Sequence, residues 1–304
     1  MFKQVKFRVV PEASSRIDEL TTGNADITVN VPPDMAGRLE GSENARLATV
    51  QGARRIFIGF TVYNHPSLVE TEVRQALNYA IDFDNTVASL LSGNGERTGT
   101  FVNPPWNNPD VNPYPYDPEL ALELMAEAGY TDQDGDGFVD NPDGSRLEYV
   151  ISSPNGRYIK DLDIAQAVAA DLKETGIYTE VKPMEWSTYV DQIVNRKVEG
   201  DMFLIGSGSG FEGQGDLADF MHDSAGNYGD WQDLEYEEVW SELAQTFDLE
   251  TRRELIYQLQ ERMWQNPPLI YLYFQVDYYG VGSRVDWSPR SDELIDVYEV
   301  KWAD

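Results

Sequence analysis

At 304 residues the chain can bury one large core or two unequal ones. Its 53 acidic against 23 basic side chains give a formal charge of −30, which repels phosphate backbones and excludes nucleic acid as an expected partner. It contains no cysteine, which excludes disulfides, thiolate nucleophiles and cysteine metal sites, and no apolar run nears the roughly 20 residues that span a bilayer.

In chain order, Gln4–Val9 alternates as a strand does and lacks the apolar core of a secretory signal. Ile17 and Leu20 before Gly23 predict a short helix, and Ala25–Val29 and Arg55–Phe60 read as strands. Tyr63–Ser67 breaks the second strand and is the expected crossing between two lobes. The stripe Val69, Val73, Ala76, Leu77, Ala80 and Ile81 predicts a helix; Asp84 is expected to cap a second, ending before Gly93. Asn103–Pro115 carries no periodicity and is expected on the surface. Asp117-Pro118 then opens a helix that Gly129 ends.

From Leu147 the pattern alternates: strand 147–152, helix 161–175, strand 178–182, helix 187–196, strand 201–205. Such alternation argues for an α/β layer with parallel pairing. Two helices follow at about 233–246 and 249–265. Pro267-Pro268 stops the second, and Leu269–Phe274 reads as a strand returning to the first lobe. The expected division is a discontinuous lobe, 1–64 plus 267–304, around an inserted lobe, 65–266.

Three patterns invite chemistry. Asp132, Asp134, Asp136 and Asp140 take positions 1, 3, 5 and 9 of an EF-hand-like loop, with Gly137 at position 6 and Asp143 at position 12. Asp143 stands where a longer Glu normally binds bidentately, so the spacing predicts weak, structural calcium; no cofactor is required. Gly208, Gly210 and Gly213 spell a dinucleotide-type G-x-G-x-x-G, but Gln214-Gly215-Asp216 prolongs the loop where a helix must begin. The two histidines, His65 and His222, share no ligand spacing, which leaves a histidine metal site or a Ser-His-Asp triad without support.

The stretch Pro154–Trp186 is the most informative. Asn155-Gly156-Arg157-Tyr158 leads into a helix marked by Ile164, Val168 and Leu172, stopped at Gly176, and followed by a strand and Glu185-Trp186. With Val73–Asp82 upstream, it resembles the extracellular solute-binding proteins of family 5, the dipeptide- and oligopeptide-binding components of ABC importers. The resemblance implies an α/β fold of the periplasmic-binding-protein type II kind, N-terminally truncated, with part of the first lobe and the cleft upstream. It implies capture of a peptide outside the cytoplasmic membrane without catalysis, delivery to an ABC permease, a monomer, and a periplasmic or extracellular place with any anchor in the missing N-terminus. It puts Arg157 where the family receives a ligand carboxylate. Asp216 stands where the family holds an ammonium, with Glu212 and Asp219 as fallbacks because Leu217 replaces the family's Pro. Trp186 and Tyr228 fall near the ligand, Trp231 less clearly. The rivals are an oligosaccharide or other small solute stacked on Trp186 or Trp231, and, more remotely, a nucleotide-cofactor enzyme using the glycine loop.

Overall fold

The computed structural model describes residues 2–208 and 213–303. In chain order the elements are α1 (Ala13–Thr21), β1 (Ile27–Thr28), α2 (Gly37–Glu40), β2 (Ala45–Phe60), α3 (Thr71–Tyr79), α4 (Phe83–Leu90), α5 (Pro118–Glu127) and β3 (Glu148–Pro154). There follow α6 (Asp161–Glu174), β4 (Tyr178–Met184), α7 (Trp186–Val194), β5 (Met202–Ser207), α8 (Gln214–Ala218), α9 (Leu234–Gln245), α10 (Leu249–Gln265), β6 (Leu269–Gly282), β7 (Val285–Asp286) and β8 (Lys301–Trp302).

Among the described residues, six strands form one mixed sheet in the order β1-β6-β2-β5-β3-β4. The expected parallel layer is there: β3 pairs in parallel with β4 along its length and with β5 at Ile151 and Ser152. Helix α6 buries Ile164, Ala165, Val168 and Leu172 at helical spacing. Gly176 follows α6 at φ 91°, a left-handed position that favours glycine after a helix. Asp117 caps α5 through its carboxylate on Leu120 N–H at 3.0 Å, with Pro118 at the first position, as expected.

Strands β2 and β6 tie the molecule together. Sixteen residues make β2 roughly 50 Å long. Its first part, Ala45–Gln51, pairs with Val276–Gly282; the register then shifts, and Arg55–Gly59 pairs with Leu269–Phe274. Only the second part also pairs with β5, Arg55 opposite Ser207 through Phe60 opposite Met202. A small separate core of Ala48, Tyr279, Val281, Val285 and Trp287 sits on the first part.

Three local expectations are corrected. Residues 4–9 form no strand: Val5, Phe7 and Val9 are 48%, 75% and 95% exposed, and alternation without a ladder partner among the described residues does not make a strand. Asp82, not Asp84, caps α4, its carboxylate accepting from Asn85 N–H at 3.2 Å. The 103–115 loop is only partly on the surface. Asn108 and Tyr114 are each 1% exposed, and Asn108 N–H donates to Gln260 on α10 at 3.0 Å.

Candidate ligand-binding site

The loops after β3, β4 and β5 all leave the same edge of the parallel layer, the edge where open α/β sheets bind ligands. They lead to Arg157, to Trp186 at the head of α7, and to Gly208.

The Arg157 turn is held from beneath by Asp161 at the start of α6. Its buried carboxylate accepts from the N–H groups of Gly156, Arg157 and Tyr158 at 2.9, 2.8 and 3.0 Å. Burial pushes the Asp161 carboxyl up, and these backbone donors oppose the shift. So fixed, the half-buried Arg157 guanidinium lies 5.0 Å from the ring centres of both Tyr158 and Trp186. In a chain this acidic it is notable that the guanidinium makes no ion pair or hydrogen bond among the described residues. Planar, permanently charged and stacked, it is suited to receive a carboxylate. Asn30 Nδ2 reaches the Arg157 carbonyl at 3.4 Å and Asp34 pairs with Lys160 at 3.2 Å, so this turn also meets the N-terminal elements. Trp186, half-buried at the head of α7, is placed by Glu185, which caps that helix.

Tyr158 links this cluster to a cavity. Its hydroxyl donates to the Gly206 carbonyl at 3.2 Å, and Gly206 also lines a cavity of about 100 Å³ beside β5. The cavity walls include Phe57, Phe101, Phe203, Tyr228 and Trp231, with Asp219 as its carboxylate. Asp219 is half-buried, makes no hydrogen bond or ion pair among the described residues, and has its pKa raised by burial. Asn227 fixes the segment carrying Tyr228 and Trp231: its amide donates to the Trp231 carbonyl at 2.7 Å and accepts from Trp231 N–H at 3.0 Å. Gly226 must lack a side chain, because a Cβ there would stand 2.3 Å from Asp219 Oδ1.

Asp216, close enough to raise the Asp219 carboxyl, is already paired. It is 5% exposed and faces Arg55, itself 2% exposed, in a two-pronged pair with contacts of 3.0 and 2.9 Å. Arg55 also donates to the Phe101 carbonyl at 2.7 Å and lies 4.3 Å from that ring's centre. Asp216 thus has a protein cation as its counter-charge, whereas Asp219 faces the cavity. Neither Arg55 nor Asp161 stands in a motif that marks it as functional. Strand alternation was the available signal: Arg54 and Arg55 must point to opposite faces. Arg54 indeed turns to Glu293 at 2.5 Å and to the Gly206 carbonyl at 3.2 Å. Glu212 lies outside the described residues, as does Gly210 of the glycine motif. The helix after that motif, α8, has only five residues.

In the acidic loop, oxygens of Asp132, Asp134 and Asp136 lie within 4.8 Å of one another. Asp140 and Asp143 do not join them. The buried Asp140 accepts from Gln133 N–H at 2.8 Å, and Asp143 accepts from Ser145 N–H and Oγ at 3.0 and 2.6 Å. The Asp136 carboxyl, held low by Phe138 N–H and by Arg146, already has a cationic neighbour.

The fold and the convergence of three strand-end loops define a type II periplasmic-binding-protein-like α/β protein. Residues 1–228 match the family described as bacterial extracellular solute-binding proteins, family 5, middle, and the chain belongs to that family. Its similarity to the oligopeptide-binding protein AppA of Bacillus subtilis (strain 168) is 26% identity over 297 residues, 95% of this chain and 54% of AppA. The chain therefore spans about half the length of that curated relative. In structure it is similar to AppA from Bacillus subtilis in complex with a nonapeptide, at TM-score 0.88, 23% identity, and coverage of 97% of this chain and 60% of that one. It is also similar to NikZ from Campylobacter jejuni in complex with Ni(L-His), at TM-score 0.83, 22% identity, and coverage of 96% and 60%. Among the described residues no helix is long and apolar enough to cross a membrane.

Proposed function

We propose that this chain captures peptides outside the cytoplasmic membrane as a monomer and hands its cargo to an ABC permease. One observation carries the reading. Two opposite charges, Arg157 after β3 and Asp219 after β5, sit half-buried and make no hydrogen bond or ion pair among the described residues; Arg55, the cation that acts on Asp219, is already paired with Asp216. A zwitterionic peptide supplies a counter-charge to each. Asp219 takes the ammonium role in place of Asp216, which secures Arg55, while Trp186 and Tyr228 flank the ends of the ligand. The lobes divide at the register shift between Gln51 and Arg55, opposite Phe274–Val276, and closure bends β2 and β6 there. On this proposal the crossing precedes Tyr63–Ser67.

A stacked sugar fits less well. Trp231 is 2% exposed, and Trp186 already has Arg157 over one face of its ring. Calcium, where the loop holds it, is structural and rests on Asp132, Asp134 and Asp136 alone. The test is calorimetry with short peptides having free, N-acetylated or C-amidated ends. Free-ended peptides are expected to bind and each blocked end to weaken binding; equal binding of all three refutes the end-anchored reading.

A further inference from the structure

We propose that the cavity beside Asp219 selects by size: it takes an ammonium-bearing end with a short aliphatic side chain and excludes an aromatic ring. The inference rests on the peptide reading for the identity of the ligand and on the cavity for its size limit.

The cavity measures about 100 Å³. An apolar cavity of about 150 Å³ is known to admit benzene, so this space, about two thirds as large, suits a branched aliphatic group of three or four carbons better than a phenyl ring. Its walls brace one another. Phe57 meets Phe101 edge-to-face at 5.1 Å, Phe101 meets Phe220 at 4.8 Å, Phe220 meets Trp231 at 6.4 Å, and Trp231 meets Tyr236 at 5.2 Å. Each of these five rings is at most 9% exposed, so widening the cavity means moving a packed series, not one side chain. The Gly59 backbone closes the space further, since a Cβ there would lie 2.3 Å from the Phe203 ring.

Trp231 lines the cavity and is held in place through its backbone by Asn227, so its ring reports on what enters.

The Trp231 indole N–H resonance, assigned with Trp231→Phe, reports on the cavity. Isobutylammonium and Val-Ala-Ala are expected to shift it, and benzylammonium and Phe-Ala-Ala to bind roughly tenfold more weakly or worse. Asp219→Asn should abolish the ammonium response, and Phe220→Ala should admit benzylammonium, a gain that a merely misfolded variant cannot give. Aromatic and aliphatic probes acting alike, or no response to any ammonium, overturns the proposal. If the amines sort by size but no peptide binds, the size rule stands and the peptide reading falls.

Discussion

Exchanging Asp216 and Asp219 separately for Asn distinguishes a carboxylate that holds the fold from one that holds cargo. Asp216→Asn leaves the Arg55 guanidinium, 2% exposed, without its two-pronged counter-charge. Breaking a buried pair by removing one partner costs about 3–5 kcal/mol. The Phe101 carbonyl at 2.7 Å and the Phe101 ring at 4.3 Å remain to soften the loss, so the lower end, about 3 kcal/mol, is expected. For a chain of this size that lowers the melting midpoint by roughly 5 °C. Replacing both members, Arg55→Met with Asp216→Leu, should recover most of it, because the desolvation of two charges disappears together with their attraction. Asp219→Asn should leave the midpoint unchanged or raise it slightly, since burial already disfavours that charge. Its effect should fall on binding instead. Urea titration with calorimetry on the same preparations measures both. If Asp216→Asn keeps its stability but loses peptide affinity, the assignment made here is reversed.

Four further outcomes follow from the geometry. Arg157→Ala should weaken peptides with a free carboxylate by about 2 kcal/mol, near 30-fold, and Arg157→Lys should not restore them because an ammonium neither forks nor stacks; calorimetry against C-amidated peptides checks this. Asp161→Ala should weaken the same peptides without touching a charge in the site, because it frees the three N–H groups that shape the Arg157 turn, and retained affinity would refute that positioning role. Burial raises the Asp277 carboxyl from 3.8 to about 6, so the native chain binds the extra proton and stability falls as pH rises through that interval, by up to about 3 kcal/mol; Asp277→Asn should flatten the dependence in urea titrations between pH 4 and pH 8. Calcium should bind the Asp132–Asp136 loop with a dissociation constant of about 10⁻⁴–10⁻³ M, and no heat at millimolar calcium removes the ion from the account.

How much of this was legible in the sequence depends on how local the cause is. Helix α6 and strands β3, β4 and β5 were expected within a few residues, since each is specified by its own periodicity and by stops such as Gly176. Gln4–Val9 shows the limit of that reasoning: alternation describes a face, and a strand also needs a neighbour to bond. The extent of β2 was underestimated for a related reason. Its first part, Ala45–Gln51, is broken up by Arg46, Thr49 and Gln51, and only pairing with Val276–Gly282 makes it a strand.

The proposed site follows from the sequence to the level of loops but not of single carboxylates. Asp216 and Asp219 lie three residues apart, one in the five-residue α8 and one just after it, so composition and spacing treat them alike. What separates them is Arg55, which lies 161 residues from Asp216 in the chain and meets it only because β2 runs beside β5. The alternation of that strand sends Arg55 to Asp216 and Arg54 to Glu293, so two adjacent cations act on opposite faces of one strand. A charge already met by the fold is a poor anchor for cargo, because binding would have to compensate the protein ion pair it breaks. The carboxylate left facing the cavity, Asp219, can gain a counter-charge without such a loss. The same reasoning selects Arg157 among the basic residues: its guanidinium is held by two aromatic rings and paired with no acid among the described residues.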